Sequence, residues 1–181
     1  EDFARRPMMW LTLMSKNKAT ITYSPTFGYD ICARRAGAGA MAELDLSSWR
    51  VAGIGGDMIR VDVMKRFAEK FAQVGFKSAS YVPSYGLAEC TLAVSFMPVG
   101  RGIVVDKVDE RVLTGEKPAG QPNGSHLNAM ADGTKAGYRD VVNCGVPLPG
   151  YELEIRDEND NSLAEHNIGR VVVRGDSVMR D

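Results

Sequence analysis

The stretch "WRVAGIGGDMIRVDVMKRFAEKFAQVGFKSASYV", Trp49 to Val82, decides the fold. Its opening, "WRVAGI", is an apolar run of strand length, and "GGD" after it, Gly55 to Asp57, is a tight turn. Asp62 is placed to cap a helix on which Met64, Phe67, Ala68, Phe71 and Val74 share one face, and Gly75 closes that helix. "SASYV", Ser78 to Val82, reads as the next strand. Strand, helix and strand with short connections imply parallel strands joined by a right-handed crossover. In such sheets ligands gather beyond the carboxyl ends of the strands. "GIGGDM" and "PSYGLAE" are therefore expected side by side on one edge.

The same texture extends upstream. Pro7 suits a first helical turn, and Met8, Trp10, Leu11, Leu13 and Met14 follow with helical spacing. "ATITYS" reads as a strand, "FGYDICARR" as a short helix, and "AGAGAMAE" as a flexible connection leading to Asp45 or Ser47 as turn or cap residues. Downstream of about Gly100 the stretch "TGEKPAGQPNGSHLNAMADGTKAG" has no period and reads as loop. "YELEIRD" and "GRVVVRG", separated by the turn-rich "ENDNS", suggest antiparallel strands. The predicted class is α/β: a mixed, mostly parallel subdomain over residues 1–98, a polar insertion-like loop over 99–143, and the start of an antiparallel, barrel-like segment over 144–181.

Composition narrows the functional classes. With 44% apolar and 25% charged residues the chain is globular in character, and 22 basic against 23 acidic side chains leave no field to gather nucleic acid. Cys32, Cys90 and Cys144 are too scattered for a disulfide framework or a structural zinc site, which points to a reducing, cytoplasmic setting. No apolar run approaches the roughly 20 residues of a membrane span, and no basic-then-apolar leader opens the chain. A start at Glu1 and an end in the strand-like "VVVRGDSVMRD" read as a piece of a longer protein.

Several motifs compete. "GAGAMA" matches a dinucleotide fingerprint from Gly37 but follows no strand, and "GIGGDM" lacks the third glycine. "PSYG" sets Ser84 at a strand end, yet Val82 stands where a nucleophile elbow needs glycine, and His126 and His166 lie in polar stretches. Ser84 is then structural, or a polar contact to a ligand. Glu89 is open to two readings: a first-turn helix carboxylate, or a metal ligand. The second draws support from its neighbours, because the Tyr85 ring could cover a flat heterocycle and the bare Gly55-Gly56 backbone could line its other side. A carboxylate beside a polyphosphate has a natural partner in magnesium.

Three blocks in order, "PTFGYDIC", "LDLSSWRVAGIGGD" and "YGLAE", resemble the large N-terminal domain of the adenylate-forming superfamily, and within it the fatty acyl-AMP ligases. Ala88 stands where the wider superfamily usually has threonine, as is common in the fatty acyl-AMP branch. The resemblance implies that Tyr85 stacks on adenine, that Gly55, Gly56 and Asp57 follow the nucleotide edge, and that Ser84, Gly86, Leu87 and Ala88 complete this nucleotide wall. It assigns Glu89 to the Mg2+ that bridges the phosphates of ATP, and Phe27, Gly28 and Tyr29 to the acyl pocket, where Thr26 and Gly28 depart from the usual Asn-Phe-Ala-Tyr. By the same resemblance the parent activates a long-chain fatty acid as its acyl-adenylate for transfer to an acyl carrier protein, and the long span from Cys90 to Cys144 corresponds either to an insertion that restrains a C-terminal domain or to an ordinary surface loop of variable length. A coenzyme A ligase, another adenylating enzyme and a non-catalytic α/β binding module are the alternatives. The phosphate loop, the ribose-binding aspartate and the catalytic lysine of the family have no counterpart here, so no complete catalytic set is present and these 181 residues alone are expected to be inactive.

Overall fold

The computed structural model describes residues 2–114, 125–126, 137–165 and 167–179. Helices α1 (Asp2–Arg5) and α2 (Met8–Lys16) lead to strand β1 (Ile21–Tyr23), helices α3 (Thr26–Arg35) and α4 (Ala38–Ala42), strand β2 (Val51–Ile54), helix α5 (Val61–Phe71) and strand β3 (Tyr81–Tyr85). Strands β4 (Ser95–Phe96) and β5 (Val104–Asp109), helix α6 (Glu110–Leu113), and strands β6 (Ser125–His126), β7 (Tyr138–Val142), β8 (Val146–Pro147), β9 (Glu152–Arg156) and β10 (Arg170–Arg174) follow.

The main sheet has the order β1-β2-β3-β4-β8. β1, β2 and β3 run parallel, with Tyr23 opposite Gly53 and Ile54 opposite Pro83, whereas β4 and β8 are antiparallel additions. All four residues of β2 are buried, as expected for a central strand covered on both faces. Among the described residues no helix is long and apolar enough to cross a membrane.

Helix α5 forms where its apolar spacing requires, burying Val61, Val63, Met64, Phe67, Ala68 and Phe71 against the sheet. It ends in a 3-10 turn, and Gly75 at φ 90° reverses the chain, a left-handed conformation that glycine adopts without steric cost. The start differs from the sequence reading. Arg60 is the cap residue, Asp62 lies in the first turn and pairs with Arg60 at 3.0 Å, and no side chain caps the helix. The Arg60 amide instead donates to the Thr26 hydroxyl, 3.4 Å away, which ties α5 to α3.

An aromatic cluster fills the space between α3, α5 and the sheet. Tyr29 stacks on Trp49 at 6.3 Å and meets Phe67 edge-on at 5.0 Å. The Tyr29 hydroxyl donates to the Gly53 carbonyl and that of Tyr81 to the Met64 carbonyl, both at 3.0 Å. Each such bond contributes about 1 kcal/mol net, and leaving either hydroxyl unpaired in the core would cost more.

Four further differences from the sequence reading have local causes. "AGAGAMAE" is not a free connection: α4 forms within it because Met41 is drawn into the core. The segment read as the strand "SASYV" begins with a 3-10 turn, Ser78–Ser80, and pairs only from Tyr81. Within 99–143, β5 is the centre of a three-stranded sheet of order β6-β5-β7 and sends Val105 into the core. Its polar Lys107 faces Asp140 across the ladder at 3.3 Å, an opposite-charge pair that a single-strand pattern does not reveal. Residues 115–124, 127–136 and 166 lie outside the described residues, and with them most of the stretch "TGEKPAGQPNGSHLNAMADGTKAG" and His166. Finally, β9 and β10 pair antiparallel as expected, but as a two-stranded ribbon, and no barrel closes among the described residues.

Candidate functional site

The carboxyl ends of β1, β2 and β3 lie on one edge, so the segments that leave them meet there. The Ser24 amide donates to the Gly53 carbonyl at 3.1 Å, carrying the pairing one residue past β1. Between these segments lies a cleft of about 250 Å³. Five of the residues singled out in the sequence line it: Gly55, Gly56, Ser84, Tyr85 and Gly86.

Each glycine there has a separate reason. A Cβ on Gly55 would stand 2.5 Å from the Ser84 hydroxyl, so the two loops close on each other only without one. Gly56 has open space around it but sits at φ 77°, so its need is conformational. At Gly86 the obstacle is the chain itself, because the Leu92 carbonyl fills the place a side chain would take. The backbone that approaches Gly86 closely thus belongs to this chain.

The polar groups divide between scaffold and open wall. Ser84 donates its hydroxyl to the Ile54 carbonyl at 3.0 Å and latches β3 to β2, which is the structural role left open for it. The Asp57 carboxylate is exposed and accepts from the Met58 amide at 2.7 Å. Tyr85 is 38% exposed, its ring available on the cleft wall. Leu87 is half-buried and its carbonyl accepts from the amides of Cys90 and Leu92, both at 3.0 Å, while Ala88 is exposed. Glu89 is exposed within the 3-10 turn Ala88–Cys90, a three-residue turn that offers a carboxylate little helix dipole to complement. No hydrogen bond or ion pair engages its side chain among the described residues.

The acyl-pocket residues are placed differently. Phe27 is 54% exposed and meets Phe3 edge-on. Gly28 is buried against the Ser24 side chain, which itself lines the cleft. Tyr29 does not reach the cleft: it is fully buried in the aromatic core, its hydroxyl engaged by Gly53. Burial holds the Tyr29 and Tyr81 phenols well above their ordinary range and pushes the Cys32 thiol up to about 12.

The rest of the lining was not singled out from sequence: Tyr23, Ser24, Pro25, Leu92, Ala93 and Phe96. The Tyr23 ring lies over Gly53, whose missing side chain leaves room for it, and meets Phe96 edge-on at 6.1 Å. Burial also raises the Tyr23 phenol pKa. The only advance signal was the alternation of Ile21 and Tyr23 along β1; that its neighbour is a glycine follows from the register alone.

Among the described residues no cluster of three or more His, Cys, Asp or Glu side chains could hold a metal ion unaided. A single open carboxylate fits Mg2+, which typically takes one or two protein oxygens and completes its shell with water and substrate phosphate.

The sequence profile of the family described as AMP-binding enzyme matches residues 1–181. The chain belongs to the AMP-binding enzyme family. It is 43% identical to a putative acyl-CoA synthetase of Caulobacter vibrioides over 98% of this chain and 29% of that protein. It is 36% identical to the medium-chain-fatty-acid–[acyl-carrier-protein] ligase JamA of Moorena producens over 84% of this chain and 24% of that one. A solved structure from work on the fatty acyl-adenylate ligases of E. coli and L. pneumophila superposes with a TM-score of 0.84 at 43% identity, covering 98% of this chain and 31% of the other. The AMP-binding chain described above thus spans under a third of each of these proteins.

Proposed function

We propose that the chain supplies one wall of the adenylation site of a ligase that uses ATP to convert a fatty acid into its acyl-adenylate. The observation that carries this reading is that the Tyr85 ring and the bare Gly55-Gly56 turn line one cleft at the carboxyl edge of the sheet, with the Glu89 carboxylate exposed outside that lining on the segment that leaves β3, in a chain of the AMP-binding family. Tyr85 offers a face for the adenine, and Gly55, Gly56, Ser84 and Gly86 form the cleft surface along which the nucleotide lies, with Asp57, Leu87 and Ala88 as the adjoining residues of the same two loops. Glu89 would hold Mg2+, which would neutralise phosphate charge while the fatty-acid carboxylate displaces pyrophosphate from the α-phosphorus of ATP. Such attack requires alignment and charge neutralisation more than covalent help from the protein.

Among the described residues that line the cleft there is no lysine or arginine to help neutralise the phosphates. The isolated chain is accordingly expected to form no acyl-adenylate. Transfer to an acyl carrier protein is favoured by the activity of the Moorena relative, and three unpaired cysteines accord with a reducing, cytoplasmic compartment. A coenzyme A ligase is the second reading, favoured by the description of the Caulobacter relative.

The test is to supply the complete gene product with ATP, Mg2+ and fatty acids of graded length, following pyrophosphate exchange and product identity with coenzyme A and with a carrier protein. Fatty-acid-dependent exchange with acyl transfer to the carrier supports the first reading. Acyl-coenzyme A as the main product selects the second, and no exchange with any fatty acid rejects both.

A further inference from the structure

The turn that carries Glu89 is fastened from outside its own subdomain. Two hydroxyls converge on the Cys90 carbonyl: Tyr151 donates at 3.2 Å and Ser177 at 3.1 Å, and these two side chains also contact each other. The Met179 amide donates to the Glu89 carbonyl at 2.7 Å, and the Thr91 hydroxyl donates to the Ser177 carbonyl at 3.3 Å. Tyr151 immediately precedes β9, and Ser177 and Met179 follow β10, so both strands meet the turn at the same end of the ribbon, where Glu152 pairs with Arg174. The Tyr151 ring is seated against Gly175, where a Cβ would come within 2.8 Å of it.

The backbone so held is one that would otherwise relax. Thr91 and Leu92 lie at φ 55° and 84°, left-handed values that residues with a Cβ rarely adopt and keep only where their surroundings impose them. The second of these residues is the one whose carbonyl fills the space beside Gly86. Clamp, strained turn and cleft wall are therefore one continuous structure.

We infer that Tyr151 and Ser177 are positioning residues for Glu89: by fixing the Cys90 carbonyl from the base of the β9–β10 ribbon, they hold the carboxylate where the metal–nucleotide complex needs it. This rests on the reading of Glu89 as the Mg2+ ligand. A carboxylate on a loosened turn must be ordered each time the metal binds, so losing the clamp raises the metal requirement before it affects the fatty acid.

Ser177→Ala and Tyr151→Phe each remove one hydroxyl with almost no change in volume. In the complete gene product, with dodecanoic acid as substrate, each variant is expected to need about tenfold more Mg2+ for half-maximal pyrophosphate exchange, the scale seen when supporting partners of metal ligands are removed. KM for the fatty acid should stay unchanged, and Ser177→Thr, which keeps the hydroxyl, should restore the metal dependence. Hydrogen exchange at Ala88 to Leu92 should also accelerate in the two variants, a readout that does not depend on activity. An unchanged Mg2+ curve, or a uniform loss of activity at every Mg2+ concentration, overturns the inference. Wild-type exchange without Mg2+ dependence would overturn the metal role of Glu89 itself, while the hydrogen-exchange comparison still reports whether the clamp orders the turn.

Discussion

The carbonyl oxygen of Leu92 occupies the space where a side chain on Gly86 would stand. That oxygen is backbone, and the chain is held on either side of it by the Leu92 amide on the Leu87 carbonyl and the Val94 amide on the Tyr85 carbonyl, both at 3.0 Å, so it yields only if the loop moves. Gly86→Ala is expected to displace the loop and destabilise it by about 1–3 kcal/mol, the range for forcing a methyl group into a packed site. The check is ATP affinity and the thermal midpoint of the complete gene product, both of which should fall. Wild-type values for both would show that the loop has room to spare.

Tyr85 is expected to act through its ring. Its hydroxyl makes no hydrogen bond among the described residues, whereas its face lines the cleft. Tyr85→Phe should therefore leave KM for ATP near the wild-type value, and Tyr85→Ala should raise it roughly tenfold or more, since stacking a base on an aromatic ring contributes about 1–3 kcal/mol. Steady-state kinetics at varied ATP separates the two. Equal losses in both variants would assign the role to the hydroxyl instead.

The buried core makes stability depend on alkaline pH. Cys32 is held protonated up to about 12 against an ordinary value of 9.0, and burial keeps Tyr29 and Tyr81 protonated well above their ordinary 10.0. Once the pH passes those ordinary values the unfolded chain releases protons that the folded chain retains. The stabilisation is thus complete below about pH 9 and declines above it, by at most about 1.4 kcal/mol per pH unit for each group. Urea midpoints should be level between about pH 7 and 8.5 and fall steadily above pH 9. A midpoint that holds or rises through pH 10.5 would contradict this.

What could be read from sequence was what neighbouring residues determine among themselves. Met64, Phe67 and Phe71 repeat at helical spacing, so α5 and the parallel strands on either side of it were legible, as was the edge where "GIGGDM" and "PSYGLAE" meet. Asp62 was misread as a cap because the bond that ties the helix start comes from Thr26, a residue on another helix. β5 was missed because Asp106 and Lys107 interrupt its apolar pattern, and the partner of Lys107 lies on β7, far along the chain. Tyr29 illustrates the limit of a motif: the block around it was recognisable, but which face of α3 turns inward depends on Trp49 and Phe67. The Tyr23 ring over Gly53 and the hold of Tyr151 and Ser177 on Cys90 arise only from the folded arrangement.

Glu89 tests the account most directly, because every role assigned to the cleft presumes that its exposed carboxylate meets a metal–nucleotide complex. The measurement is fatty-acid-dependent ATP–pyrophosphate exchange in the complete gene product, comparing wild type with Glu89→Ala across a range of Mg2+ concentrations. Exchange should fall by at least about a hundredfold, with an unchanged thermal midpoint, since removing a direct metal ligand costs no less than removing its supporting partners. Near-wild-type exchange at an ordinary Mg2+ requirement would contradict the assignment of this edge as the adenylation wall.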